Sequence, residues 1–285
     1  MTYAQFLLLF LLVPIVVLVA LVLRDRSGAR KRGTEPIGWA PLLMVLALMV
    51  VAMLYTTPWD NALIANRVWW YAPERVSGIT VGWIPLEELS FFLLQTLLIG
   101  LWFLWLIPRL GRSGSDAEKR ARALTDDKTG GYGQSDREGS RVRVVAATAG
   151  AGLWMVALGI LLGRWRPGTY IGWELIWALP PIILQLSLGA DILWRHRRLA
   201  GAVLVPMVLY LCVADALAIR AGIWTIDPRQ SLGILVGGWL PLEEVVFFSL
   251  TTMLVAFGLV LGLAAETGRR LHAYRARLSF SLARR

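Results

Sequence analysis

The chain has 285 residues, of which 57% are hydrophobic and 17% charged, and its formal net charge is +10. That balance excludes an ordinary soluble domain, which carries more charge and fewer long apolar runs. The only cysteine, Cys212, excludes a disulfide framework and a cysteine metal site.

Apolar runs long enough to cross about 30 Å of hydrocarbon recur along the chain. In order, they predict spans near 4–23, 38–56, 82–107, 144–163, 168–194, 199–219 and 233–264. The first lacks a positive segment before it and carries its charges after it, so it reads as a retained span rather than a signal peptide. Most of 111–143 is rich in Gly, Ser, Asp, Lys and Arg and reads as a disordered cytoplasmic linker. On seven spans the 29 basic residues divide 23 to 6 between the two sides. The smaller set is Arg67, Arg75, Arg164, Arg166, Arg220 and Arg229. Such asymmetry predicts an extracytoplasmic N-terminus and a cytoplasmic C-terminus in a multi-pass protein of the cell membrane. The basic excess is thus topology and attraction to anionic lipid, with no nucleic acid as partner.

The chain also repeats itself. Trp83-Ile84-Pro85-Leu86-Glu87-Glu88 returns as Trp239-Leu240-Pro241-Leu242-Glu243-Glu244, and Phe91-Phe92 as Phe247-Phe248, all 156 residues apart. Upstream the offset becomes 155 and pairs Asp60 with Asp215, Trp69 with Trp224 and Gly78 with Gly233. The expected organisation is all-α, a transmembrane bundle of 3+1+3 spans with two parallel three-helix repeats. The first repeat covers 1–110, followed by a polar linker at 111–143 and a connecting span at 144–163. The second repeat covers 165–265, and a basic tail takes 266–285. The connecting span restores the orientation of the second repeat, so both Pro-Leu-Glu-Glu segments fall at the extracytoplasmic face.

Each Glu-Glu pair opens an apolar span. Proline and one glutamate in a first helical turn are explained by helix starts and the helix dipole. Two adjacent carboxylates after an apolar run such as Gly233 to Leu242 call for more, because ionisable groups at membrane depth are costly and usually functional. Adjacent helical residues point about 100° apart, so one glutamate is expected to face a central cavity. The other is expected to reach the neighbouring repeat or Asp60. With Asp60 and Asp215, up to six carboxylates could gather and hold a general acid beside a general base. Trp83, Trp239, Phe91, Phe92, Phe247 and Phe248 flank them, and aromatic faces stabilise a passing cation. Trp69, Trp70, Trp102, Trp105 and Trp165 read as ordinary interfacial tryptophans. The two histidines, His196 and His272, sit in basic segments, and no metal site, dinucleotide fingerprint or nucleophile elbow is recognisable.

A doubled Pro-Leu-Glu-Glu motif with matched aspartates in a 3+1+3 layout resembles the lycopene cyclase domain family. That family includes the fused form of the heterodimeric-type prokaryotic carotenoid cyclases and the cyclase part of fungal bifunctional phytoene synthase–lycopene cyclases. The likeness covers 1–107 and about 165–265. It implies an isomerase of carotenoid biosynthesis. A linear ψ end group would be protonated, closed through a carbocation and deprotonated to a ring, a β ring above others. The substrate would be lycopene drawn from the bilayer, with other carotenoid-pathway enzymes as candidate partners and no cofactor. On that resemblance Glu87, Glu88, Glu243 and Glu244 form the acid–base set, with Asp60 and Asp215 as second choices. Trp83, Trp239, Phe91, Phe92, Phe247 and Phe248 would contact substrate. The motif does not separate donor from acceptor, nor one composite site from two. The alternatives are a proton-coupled small-molecule transporter of the same 3+1+3 topology and a cyclase of a longer, hydroxylated carotenoid.

Overall fold

The computed structural model describes residues 1–31, 38–110 and 135–270. Among the described residues, seven helices are long and apolar enough to cross a membrane. Helix α1 is made of Tyr3–Leu7, a π-turn at Leu8–Leu12 and Val13–Lys31. It is followed by α2 (Ala40–Ala65), α3 (Leu86–Leu110), α4 (Ser135–Leu162), α5 (Thr169–Arg195), α6 (Arg197–Arg220) and α7 (Leu242–Leu263). The all-α polytopic bundle expected from the sequence is what forms.

Among the boundaries that differ from expectation, three bear on the site or the linker. Helix α2 continues past Pro58 to Ala65, carrying Asp60 inside the helix instead of at its end. A membrane helix tolerates such a proline because local adjustments and neighbouring groups can re-satisfy the freed backbone. Helix α4 already begins at Ser135, so 135–143 is helical, not linker. The rest of the expected linker, 111–134, lies outside the described residues, as do 271–285 of the tail and His272. Finally, α7 starts only at Leu242, because 233–241 fold into a hairpin.

Three short antiparallel ladders crown the bundle at one face. Strand β2 (Thr80–Val81) pairs with β3 (Ile84–Pro85), and β5 (Leu235–Val236) with β6 (Leu240–Pro241). Each of these hairpins runs directly into the helix that opens with Glu-Glu. The third ladder joins β1 (Trp69–Tyr71) to β4 (Trp224–Ile226), with Trp69 opposite Ile226, Trp70 opposite Thr225 and Tyr71 opposite Trp224. Because Trp69 and Trp224 are 155 residues apart, as are Tyr71 and Ile226, the register is symmetric about Trp70 and Thr225. Deeper in the bundle Gln95 Nε2 donates to Thr251 Oγ1 at 2.9 Å, again between residues 156 apart. The two halves therefore meet across a shared axis, like side to like side.

Helix α4 stands outside and packs mainly along α5. Gly150 permits the approach, since a Cβ there would lie 2.8 Å from Ile183, and Trp154 Nε1 donates to the Ile176 carbonyl. At the face opposite the hairpins, Asp191 of α5 gathers Arg143 of α4 and Arg270, which follows α7. Arg109 pairs with Asp25 at 2.6 Å and ties α3 to α1.

One glycine is fixed by its surroundings as well as by its backbone. Gly82 has φ +66°, and a Cβ would meet Asn61 Oδ1 at 2.3 Å, the same oxygen that accepts the Trp83 N–H. Gly78 has φ +79° with open space around it. Gly82→Ala is therefore expected to destabilise the protein by about 2–3 kcal/mol and Gly78→Ala by about 1 kcal/mol. Thermal unfolding in detergent checks the difference, and adding Asn61→Ala to Gly82→Ala should recover part of the loss.

Candidate active site

Pro85 and Pro241 close the two hairpins, and the next three residues begin α3 and α7. The expected divergence of each Glu-Glu pair is present, with a different outcome for the outer member. Glu87 Oε1 accepts from the Ser77 backbone N–H at 2.6 Å, and its Oε2 accepts from the Ser77 hydroxyl at 3.1 Å. Glu243 Oε1 accepts from the Leu232 N–H at 2.6 Å. Ser77 and Leu232 are 155 residues apart, and each stands at the base of its own hairpin. The outer glutamates thus pin hairpin to helix and do not reach Asp60 or the other half.

Glu88 and Glu244 turn inward. They share one buried chamber with Asp60 and Asp215, so four of the six expected carboxyls converge. Asp60 and Asp215 are each 1% exposed. Among the described residues neither oxygen of Asp60 has a hydrogen-bond partner, and Asp215 Oδ2 also lacks one. Leaving carboxyl oxygens dry and unpaired costs several kcal/mol per ionised group, a penalty that favours shared protons and a functional reason for the site.

Three tyrosines supply the donors that the sequence reading missed. Glu88 Oε2 accepts from Tyr3 Oη at 2.5 Å and from Tyr71 Oη at 2.8 Å. Glu244 Oε1 accepts from Tyr170 Oη at 2.7 Å. A signal for two of them existed in the chain, because Tyr3 precedes Pro14 by the same eleven residues that separate Tyr170 from Pro181. No such match marks Tyr71, whose counterpart is Ile226.

The aromatic wall also differs from expectation. Phe91, Phe247 and Phe248 line the chamber, while Phe92 lines the cavity next to it. Trp83 and Trp239 do not line it: they project from the hairpin tips, 65% and 55% exposed, and Arg220 lies over the Trp239 ring. Their places are taken by Trp59, Trp69 and Trp224. Trp69, read from sequence as an interfacial anchor, is 8% exposed and packs on Trp59 and Tyr170. Trp59 stacks on Trp177 at 4.5 Å and lies parallel to Phe247 at 6.0 Å. These ring faces put π density beside the carboxyls, the arrangement that attracts a cation without quenching it.

The chamber itself holds about 50 Å³, room for one or two waters and too little for a branched hydrocarbon end. An apolar cavity of about 170 Å³ adjoins it through Phe247. Its walls include Leu48, Val51 and Ala52 of α2, Pro181 and Gln185 of α5, and Leu254 and Val255 of α7. Near the hairpin face α2 and α5 are bridged by Tyr55 Oη to the Trp177 carbonyl and Trp59 Nε1 to the Trp173 carbonyl. Both helices contribute walls beyond those bonds, and Val51, one of them, is 57% exposed. Among the described residues no group of three or more His, Cys, Asp or Glu side chains is arranged to hold a metal ion.

Tyr71 lies outside the spans, and its hydroxyl is pushed well above the ordinary tyrosine value of 10, by burial first and then by the charges of Glu88 and Asp60. Its contribution to stability is complete below pH 10 and lost as pH rises beyond it, because the unfolded hydroxyl ionises first. Tyr71→Phe should cost about 1 kcal/mol at neutral pH, since Tyr3 still serves Glu88. It should also flatten the alkaline loss of stability. Unfolding midpoints measured from neutral pH to pH ~11 check both signs.

Comparison with known proteins adds an independent observation. A family model described as lycopene cyclase matches residues 1–106 and 168–261. The chain is 38% identical over 215 residues to a lycopene beta-cyclase of Halobacterium salinarum, covering 75% of this chain and 79% of that protein. It is 33% and 34% identical to bifunctional lycopene cyclase/phytoene synthases of Gibberella fujikuroi and Phaeosphaeria nodorum. Those matches cover 75% of this chain in each case, and 33% and 34% of the fungal proteins. No solved structure matches the chain.

Proposed function

The chain belongs to the lycopene cyclase family, and we propose that its carboxylate chamber is where a linear carotene end group is protonated and closed. The protein cyclises lycopene in carotenoid biosynthesis. The reaction we assign is an isomerisation. A chamber carboxyl gives a proton to the terminal double bond of the ψ end, the tertiary cation is attacked by a chain double bond, and a second carboxylate takes a ring proton. No electron is transferred and no atom is gained overall. A β ring is the product we expect, as named for the Halobacterium relative.

The observation that carries this reading is the convergence of Glu88 and Glu244, one from each half, on one chamber walled by aromatic rings. That arrangement favours a single composite site over two separate ones. Glu88 and Glu244 form the acid–base pair, with Asp60 and Asp215 beside them. Glu87 and Glu243 act through the hairpins they hold, which makes them positioning residues. The developing cation lies against Phe91, Phe247, Phe248 and Trp59, whose faces supply charge stabilisation without a nucleophile. The polyene chain occupies the neighbouring apolar cavity and enters from the bilayer between α2 and α5. Phe247, common to both spaces, must give way for an end group to reach the carboxyls. With the hairpins outside and the 23 basic residues inside, the N-terminus is extracytoplasmic.

Expression in a host that accumulates lycopene tests the assignment, with pigments resolved by chromatography. Glu88→Gln and Glu244→Gln should each lower ring formation at least ~100-fold, the range expected for losing a general acid or base. Glu87→Gln and Glu243→Gln should lower thermal stability more than turnover. Ala52→Phe, which fills the proposed chain cavity, should raise KM for lycopene with the fold intact. Undiminished cyclisation by both inner-glutamate variants would remove the carboxyls from the mechanism.

A further inference from the structure

Helix α5 carries a carboxyl that the reaction as described does not use. Glu174 is fully buried, with 0% exposure, and among the described residues neither of its carboxyl oxygens has a hydrogen-bond partner. It lies one turn after Tyr170, whose hydroxyl donates to Glu244, and it interacts electrostatically with Tyr170, Glu244 and Glu243. It is not part of the chamber wall, so it does not touch the reacting end group. Glu243 Oε2 is likewise unpartnered, while its Oε1 is held at the base of the exposed second hairpin. Glu174, Glu243 and Glu244 therefore form one interacting group of carboxyls, with Glu243 at the hairpin base.

The first half has nothing equivalent. Tyr3 stands where Tyr170 stands, but the residue four positions later is Leu7, where the second half has Glu174. The donor pattern is unequal in the opposite sense. Glu88 receives two tyrosine hydroxyls and Glu244 only one. A carboxylate clasped by two O–H donors is equipped to accept a proton from the ring. A carboxyl packed against two others, with three oxygens in that group lacking partners, must share protons with them.

We propose that Glu174 is a positioning residue that reloads Glu244 with a proton between turnovers, which makes Glu244 the acid and Glu88 the base. The proposal rests on the reading of the chamber as the cyclisation site. Each cycle balances. Glu244 loses its proton to the terminal double bond and Glu88 gains one from the ring. Glu174 then passes its proton to the Glu244 carboxylate, the medium returns one to Glu174, and Glu88 releases one. The net change is zero protons and one new carbon–carbon bond.

The test compares first and later turnovers of the full chain reconstituted in liposomes containing lycopene. In Glu174→Gln, the first ring per enzyme should form within about twofold of the wild-type rate, because Glu244 starts loaded. Later turnovers should slow at least ~10-fold, giving a burst of about one ring per enzyme. Glu174→Asp should restore the later turnovers to within about threefold, because it keeps a transferable proton. Glu174→Leu, which installs the residue of the first half, should show the same burst and serves if the glutamine variant accumulates poorly. Wild-type later turnovers in both Glu174→Gln and Glu174→Leu would overturn the proposal. So would a first turnover slowed as much as the later ones, which is what a merely structural role produces. A wild type that forms no ring in either regime overturns the chamber reading itself, whereas a ring-forming wild type confines any failure to Glu174.

Discussion

Carboxyl groups placed inside an apolar bundle have no water to satisfy them, so the protein must bring donors to each one or make them share protons. Much of the upper half of this structure follows from that constraint. The hairpins exist in the form they do because Glu87 and Glu243 take the backbone N–H groups of Ser77 and Leu232. The first turns of α1 and α5 are placed so that Tyr3 and Tyr170 can reach Glu88 and Glu244. The β1–β4 ladder, which joins the two halves, carries Tyr71 to the same glutamate. Removing the inner carboxyls would leave the three tyrosine hydroxyls without their partners, and removing the outer ones would free the hairpins.

What could be read in the chain, and what could not, divides along the range of the interactions involved. Hydropathy and charge asymmetry act locally, so seven helices and the polytopic class were legible. The doubled motif fixed which glutamates to watch, and helical geometry alone said that adjacent ones must part. It did not say where the outer ones go, because their partners are backbone N–H groups at the base of turns that hydropathy reads as more helix. The stretch from Gly233 to Gly238 is apolar enough to extend a span, and only its positive-φ glycines reveal a hairpin. Tyr3, Tyr170 and Glu174 escaped for a different reason. They lie on the first helix of each half, where residue identity outside Tyr and Pro has drifted, and the two tyrosines bond to glutamates more than 70 residues away.

Tryptophan was the least predictable residue. Trp83 and Trp239 share the repeated motif with the glutamates, yet they sit at the exposed hairpin tips while Ile84 and Leu240, next in the chain, are buried. Trp69, with the same composition-based claim to the membrane interface, is instead buried against Trp59 and Tyr170. Neighbourhood in sequence was a poor guide here, because the turn that carries each motif tryptophan projects away from the bundle.

The lipid-side cavity adjoins the chamber and reaches about 18 Å from the carboxyls, as twelve helical residues separate Leu48 from Asp60 on α2. A long symmetric polyene seated there presents one terminus to the chamber and leaves the other in or near the bilayer. The single composite chamber proposed above would serve one terminus per visit, so a molecule with two open ends would withdraw, reverse and return. Product formation would then be distributive. One-ringed molecules would leave into the lipid phase as free intermediates, open to any other catalyst in the same membrane.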